Sequence, residues 1–243
     1  MPPKKAARRA ADDNVIAIPR SRLPRPRHRR AEIVQAAAQI FHDKGYEHTS
    51  MQDIADAVGI LKGSLYYYIE SKEALLYEIT REVHESAYLD IDRLRAIEGS
   101  SLVRIRAFVS AHIIHNLGRL VKMAVFFQDF HSLTAEHRAE IVRERDRYDR
   151  FLRELIGAGR KEGSICPDVD PKIVSFGILG LVNWVYQWYR PDGSVTPEQL
   201  ADAYADFVVA GLECSPATHK PGHRTASGAL SLAAIAGLRP AAE

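Results

Sequence analysis

Along most of this chain apolar residues recur at three- and four-residue intervals, the pattern of helices with one buried face. Ile33, Ala37, Ile40 and Phe41 make such a stripe in a helix running from about Pro26 or Arg27 to Lys44, which Gly45 ends. Met51, Ile54, Ala55 and Val58 make a shorter one that Gly59 stops. Thr49 and Ser50 offer N-cap oxygens to it, and Gln52 and Asp53 follow each by three residues, the spacing of a capping box. A second short helix is predicted from about Lys62 to Ile69. After Ser71, suited to an N-cap, Leu75, Leu76, Ile79, Val83, Tyr88, Ile91 and Leu94 continue a long helical pattern to the neighbourhood of Gly99.

Beyond Gly99 no strand pattern survives, and breakers divide the chain into helical lengths. Residues 101–120 carry Leu102, Ile105, Phe108, Val109, His112, Ile113 and Leu117 at helical spacing, and residues 121–131 carry Val121, Val125, Phe126, Phe127 and Phe130. Thr134 caps a long charged helix to about Lys161, with Ile141, Tyr148, Phe151, Leu152, Leu155 and Ile156 on its buried side. Asp170 and Pro171 open a strongly apolar helix to about Tyr189. Thr196 and Gln199 give a capping box for the last one, with Leu200, Ala203, Tyr204, Phe207, Val208 and Gly211 as its stripe. The class is all-α.

Two short helices around a tight glycine-containing turn, residues 51–69, make a helix-turn-helix, whose second helix enters the DNA major groove. The side chains suit that role. Lys62 can donate to a base or phosphate, Gly63 allows close approach, Ser64 is a small donor, and the hydroxyls of Tyr66, Tyr67 and Tyr68 can reach phosphates. A helix points three consecutive tyrosines about 100° apart, so they cannot all be core and at least one faces out.

From Glu32 to about Leu76 the chain resembles the TetR family of bacterial transcriptional regulators. The resemblance rests on Ile54-Ala55, Val58-Gly59-Ile60, Gly63-Ser64-Leu65-Tyr66 and Ser71-Lys72-Glu73-Ala74-Leu75. Two positions depart from the family's pattern. Leu61 stands where Ser or Thr commonly caps the recognition helix, and Ile69 where Phe usually fills the small core. The resemblance implies that Thr49, Lys62, Gly63, Ser64, Tyr66, Tyr67, Tyr68 and Lys72 face DNA, and Ser50 and Gln52 at the start of the first short helix join them as candidates. It also implies a homodimer on a palindromic operator, released by an inducer. The expected organisation is a disordered basic arm over residues 1–26, a three-helix helix-turn-helix domain over 27–73, a larger helical ligand-binding and dimerisation domain over 74–213, and a loose tail over 214–243.

The charge distribution adds to this picture. The net charge is only +2, but residues 1–30 hold ten Lys or Arg against Asp12 and Asp13, a local +8 that leaves the remainder at −6. Positive charge beside the helix-turn-helix would be rewarded by counterion release from DNA. The arm either follows the DNA or simply solubilises the chain, and the sequence favours neither.

Phe108, Phe126, Phe127, Phe130, Phe151, Phe176, Trp184 and Trp188, mixed with His112, His115, Asn183, Gln187 and Arg190, have the make-up of an apolar cavity with a few polar groups. Aromatics at this spacing build plain core more often than cavity walls, and the case for a cavity rests on the set. The candidate ligand-binding residues are Phe108, His112, Phe126, Phe127, Phe130, Phe151, Trp184, Gln187, Trp188 and Arg190. Gly59-Ile60-Leu61, Gly63 to Tyr66 and Trp188-Tyr189-Arg190-Pro191 are similar to a branch of the family that controls fatty-acid or sterol-ring catabolism. That branch implies a small apolar effector, an acyl-CoA thioester, with Arg190 meeting a phosphate or carboxylate. The last two helices offer apolar surface that a two-fold partner would bury.

Other classes have little to stand on. No Gly-x-Ser-x-Gly elbow, phosphate loop or dinucleotide fingerprint occurs, so an enzyme would need an unrecognised site, and no cofactor is implied. His112 and His115 share a helix face but lack a third ligand, so no metal is expected. The apolar run from Ile173 to Tyr189 is too short for a bilayer and carries Ser175, Asn183 and Gln187, which argues against a membrane span. No signal peptide is apparent, and Cys166 and Cys214 form no disulfide framework. A cytoplasmic protein is expected. A DNA-binding protein with no inducer remains the other open reading.

Overall fold

The structure, a computed structural model, describes residues 26–214, leaving aside the side chains of Pro26, Arg27 and residues 86–90, Tyr88 among them. Residues 1–25 and 215–243 lie outside the described residues, and with them the expected basic arm (1–26) and loose tail (214–243) apart from Pro26, which opens α1, and Cys214. Among the described residues ten α-helices follow in order: α1 (Pro26–Lys44), α2 (Met51–Ala57), α3 (Lys62–Tyr68), α4 (Lys72–Arg95), α5 (Ser101–Leu117), α6 (Leu120–Asp129), α7 (Ala135–Glu162), α8 (Pro171–Asn183), α9 (Val185–Trp188) and α10 (Pro197–Leu212). Among the described residues the only extended pairing is an isolated antiparallel bridge between Ile165 and Glu213. The all-α class is as the sequence predicts.

Capping chemistry sets most of these boundaries. The Ser50 side chain accepts from the Asp53 N–H while the Asp53 carboxylate takes the Ser50 N–H, a complete capping box on α2. Thr196 and Gln199 repeat it on α10. Ser71, Ser100, Thr134 and Asp170 accept first-turn N–H groups of α4, α5, α7 and α8. Gly59 sits at φ +68 in the turn between α2 and α3, backbone that a side chain would strain. Two predicted boundaries move. The helix from residue 101 stops at Leu117, before Gly118. The apolar run from Ile173 is two helices, because the chain tightens at Trp184 into an i, i+3 turn and resumes as the short α9. Pro191, two residues past its C-cap, then bars further helix.

Two cores share α4. Leu75, Leu76 and Ile79 pack with Ile33, Ala37, Phe41, Ile54 and Leu65 around the helix-turn-helix, and this cluster also takes in Val125, Phe126, Leu133 and Ile141. The N-terminal core therefore extends past Glu73 onto α6 and α7. Ile91 and Leu94, about three to four turns beyond Ile79 along α4, belong instead to the larger core with Phe108, Ile113, Phe151, Leu152, Val182 and Val208. There α10 lies along α5, and α7 packs on α5 and α8. One helix thus links the two cores.

Candidate nucleic-acid interface and effector cavity

The helix-turn-helix is fastened from behind by α1. Arg29 donates to the Val58 carbonyl at the end of α2 (2.7 Å) and to Glu32, while Arg30 forks onto Glu78 of α4. Lys44 pairs with Asp53 at 2.9 Å. The Ser50 hydroxyl and then Lys44 hold the Asp53 carboxyl well below the usual carboxylate range.

On α3, Leu65 alone is fully turned inward, and Lys62, Gly63, Ser64, Tyr66 and Tyr67 are exposed, Tyr67 by 82%. Tyr68 is half-buried against the small core and edge-on to Tyr67. Two of the three tyrosines thus face solvent. Leu61 is the N-cap of α3 and makes no side-chain cap bond, as expected where Ser or Thr is replaced by Leu. Ser50 and Gln52 are exposed, with the Gln52 amide donating to Asp56 at 2.7 Å. Thr49 and Lys72 turn inward. The Thr49 hydroxyl donates to the Gly45 carbonyl at 2.8 Å, and Lys72 Nζ donates to the Tyr46 carbonyl at 2.9 Å while lying over the Tyr46 ring. Both tie down the loop between α1 and α2.

A cavity of about 280 Å³ opens between α4, α5, α6, α7 and α8. Its walls carry Val83, His84, His112, His115, Asn116, Met123, Phe126, Phe127, Arg145, Tyr148, Asp149, Phe176, Leu179 and Asn183. Three helices meet at one polar chain on its floor. His112 Nε2 lies 2.8 Å from Asn183 Oδ1 and His112 Nδ1 lies 2.7 Å from the Tyr148 hydroxyl. Because the amide oxygen only accepts, the imidazole proton sits on Nε2 and Nδ1 accepts from Tyr148. Burial pushes His112 down to about 4, so it is neutral there. His84 is likewise pushed down to about 4, by burial and then by Arg145. Its Nε2 is buried with no hydrogen-bond partner, a group that costs about 1–3 kcal/mol to leave unsatisfied.

Of the ten candidate ligand residues, His112, Phe126 and Phe127 line this cavity. Phe108 and Phe151 are core packed beneath it, with Phe108 4.9 Å from the Tyr148 ring. Phe130 packs on the helix-turn-helix cluster. Gln187 and Arg190 line a second hollow of about 320 Å³ with His42, Val121 and Tyr186. Tyr186 stacks on Phe127 (5.0 Å, 9°) between the two hollows. Trp184 is largely and Trp188 partly exposed, joining Ile173, Phe176 and Phe207 as large apolar side chains on the surface of α8, α9 and α10. His84, Asn116, Met123, Arg145, Tyr148 and Asp149 were not among the sequence candidates. Tyr148 stood on a recognised buried stripe, but nothing in spacing distinguishes a cavity wall from core. Among the described residues no three His, Cys, Asp or Glu side chains are grouped to hold a metal, and no helix is long and apolar enough to cross a membrane.

Comparison with known proteins agrees with this geometry. Residues 33–79 match the family described as bacterial regulatory proteins, tetR family, and residues 98–212 the tetracyclin repressor-like C-terminal domain. The transcriptional repressor KstR2 of Rhodococcus jostii is 33% identical over 186 residues, 76% of this chain and 91% of that protein. The chain belongs to the TetR family of transcriptional regulators. Its described fold is similar to the solved ketosteroid transcriptional regulator KstR2 of Mycobacterium tuberculosis, with a TM-score of 0.73 at 25% identity, covering 77% of this chain and 96% of that one. It is also similar to AibR solved with isovaleryl coenzyme A and operator DNA, with a TM-score of 0.66 at 34% identity, covering 76% and 98%. These TetR-family relatives are regulators and not enzymes.

Proposed function

We propose that this chain is a repressor that holds a palindromic operator as a homodimer and lets it go when an apolar acyl thioester enters the cavity under α4. The observation that carries the reading is the coexistence of an exposed polar row on α3 with a cavity that touches the same helix α4 on which the DNA-reading core is built. Lys62, Ser64, Tyr66 and Tyr67 meet bases and phosphates, Gly63 lets the backbone approach, and Ser50 and Gln52 contact the flanking phosphates.

The homodimer rests on α8 and α10. Ile173 and Phe207 are each 70% exposed, and Phe176 and Trp184 more than half, apolar area that a second copy would cover by a two-fold axis. That arrangement sets two α3 helices on successive major-groove faces. For the effector, the neutral His112 chain and the unpartnered His84 Nε2 supply polar groups for a carbonyl or hydroxyl, while Met123, Phe126, Phe127 and Leu179 hold the acyl part. At about 280 Å³ the cavity suits an acyl group of modest size, with the coenzyme A moiety outside. AibR, whose solved complex holds isovaleryl coenzyme A and operator DNA, supports this class of ligand. A ligand that binds better to the form with the two α3 helices out of register draws the population off DNA. The protein acts where the chromosome is, in the cytoplasm.

Titrating the protein–operator complex tests the reading. Release by an acyl-CoA, with no release by the free acid or by coenzyme A, is the expected result. Indifference to all acyl-CoAs removes the thioester, and failure to bind any duplex removes the repressor.

A further inference from the structure

The most exposed large aliphatic side chain in the DNA-reading domain is Leu61, 79% accessible at the head of α3. Four residues before the buried Leu65, it would share the inward face if it were helical. Its extended backbone (φ −69, ψ 143) swings the side chain out to solvent instead. Its carbonyl accepts from the Ser64 and Leu65 N–H groups, but its side chain contributes nothing to the cap, and Ile60 beside it already packs on the small core. The cluster around Phe41 and Leu65 is complete without it. Its neighbours on the proposed contact surface, Lys62, Gly63 and Ser64, are also exposed, and around Gly63 there is open space within 4 Å of where a Cβ would stand.

In the major groove one base edge offers an apolar partner, the C5-methyl of thymine. We infer that Leu61 is a specificity-determining residue that packs on a thymine methyl in each half-site of the operator. The inference rests on the proposed DNA contact by α3 and adds to it the base that this side chain selects. An aliphatic side chain has no hydrogen bond to give a guanine or adenine edge, and a cytosine at the same position lacks the methyl. Burial of one methyl group is worth about fourfold in affinity, hence about fifteenfold over two half-sites.

The test replaces each thymine of a selected operator in turn with deoxyuridine, which removes the methyl and leaves every hydrogen-bonding group. Affinities of the full-length protein are read by fluorescence anisotropy at fixed salt. The wild type is expected to lose about fourfold per half-site at one thymine. The Leu61→Ala variant, whose substitution lies on the surface and should leave the melting temperature unchanged, is expected to lose none there. Methyl removal that matters nowhere, or matters equally in Leu61→Ala, overturns the inference while the operator contact stands. A protein that binds no duplex at all overturns both.

Discussion

Replacing His112 with Gln should flatten the acid dependence of folding. His112 is enclosed by Tyr148 and Asn183 and is neutral in the folded chain, where burial pushes it down to about 4, against 6.5 for an ordinary imidazole. An unfolded chain therefore takes up a proton as the pH drops below about 6.5, whereas the folded chain does not until about pH 4. The sign follows directly: stability is whole above that window and is lost as pH falls through it. Where only the unfolded state holds the proton, the loss is about 1.4 kcal/mol per pH unit, so His112 accounts for about 2 kcal/mol between pH 7 and pH 5. Gln can still donate to Asn183 and accept from Tyr148 but does not titrate. Urea midpoints at pH 7, 6 and 5 measure the effect, with the slope against pH compared between the two proteins. His84, pushed down the same way, stays in both and keeps part of the slope. The variant should lose about 2 kcal/mol less than the wild type over that range, whatever its stability at pH 7. Slopes that coincide would show that His112 is not enclosed as described.

Three further outcomes are expected. Lys62→Ala should weaken operator binding on every sequence that the wild type binds and reduce the slope of log affinity against log salt by about 1 if Lys62 meets a phosphate, or relax one base position if it meets a base; filter binding at several salt concentrations separates the two. Phe207→Glu places a charge on the exposed face of α10, and sedimentation should then show a monomer with an unchanged helical signal. Phe108→Ala empties a fully buried site between α5 and α7 and should cost about 3–5 kcal/mol in chemical denaturation, more than alanine at any exposed position of α3.

Much of the fold was legible because its start signals are local. Ser50 with Asp53, Thr196 with Gln199, and Asp170 before Pro171 need only a few residues to cap a helix, and each does so. The break at Trp184 was not legible, since Asn183-Trp184-Val185 holds neither Gly nor Pro and the apolar pattern runs through it. The site divides in the same way. That at least one of three adjacent helical tyrosines faces out follows from helix geometry, and the fold turns Tyr66 and Tyr67 outward. Which aromatics border empty space does not: Phe108 and Phe126 both sit on buried stripes, but neighbouring rings fill the space around the first and leave a hollow beside the second. Likewise Lys72 looked available to a phosphate until the fold brought the Tyr46 carbonyl, 26 residues earlier, within 2.9 Å of it.

Operator recognition by this protein rests on two copies of α3 reading one duplex together. Sedimentation equilibrium of the full-length protein with a palindromic duplex obtained by selection measures this most directly. A complex of two chains per duplex is expected, absent with a duplex of unrelated sequence at the same salt. A complex of one chain, or no complex with any selected duplex, contradicts it.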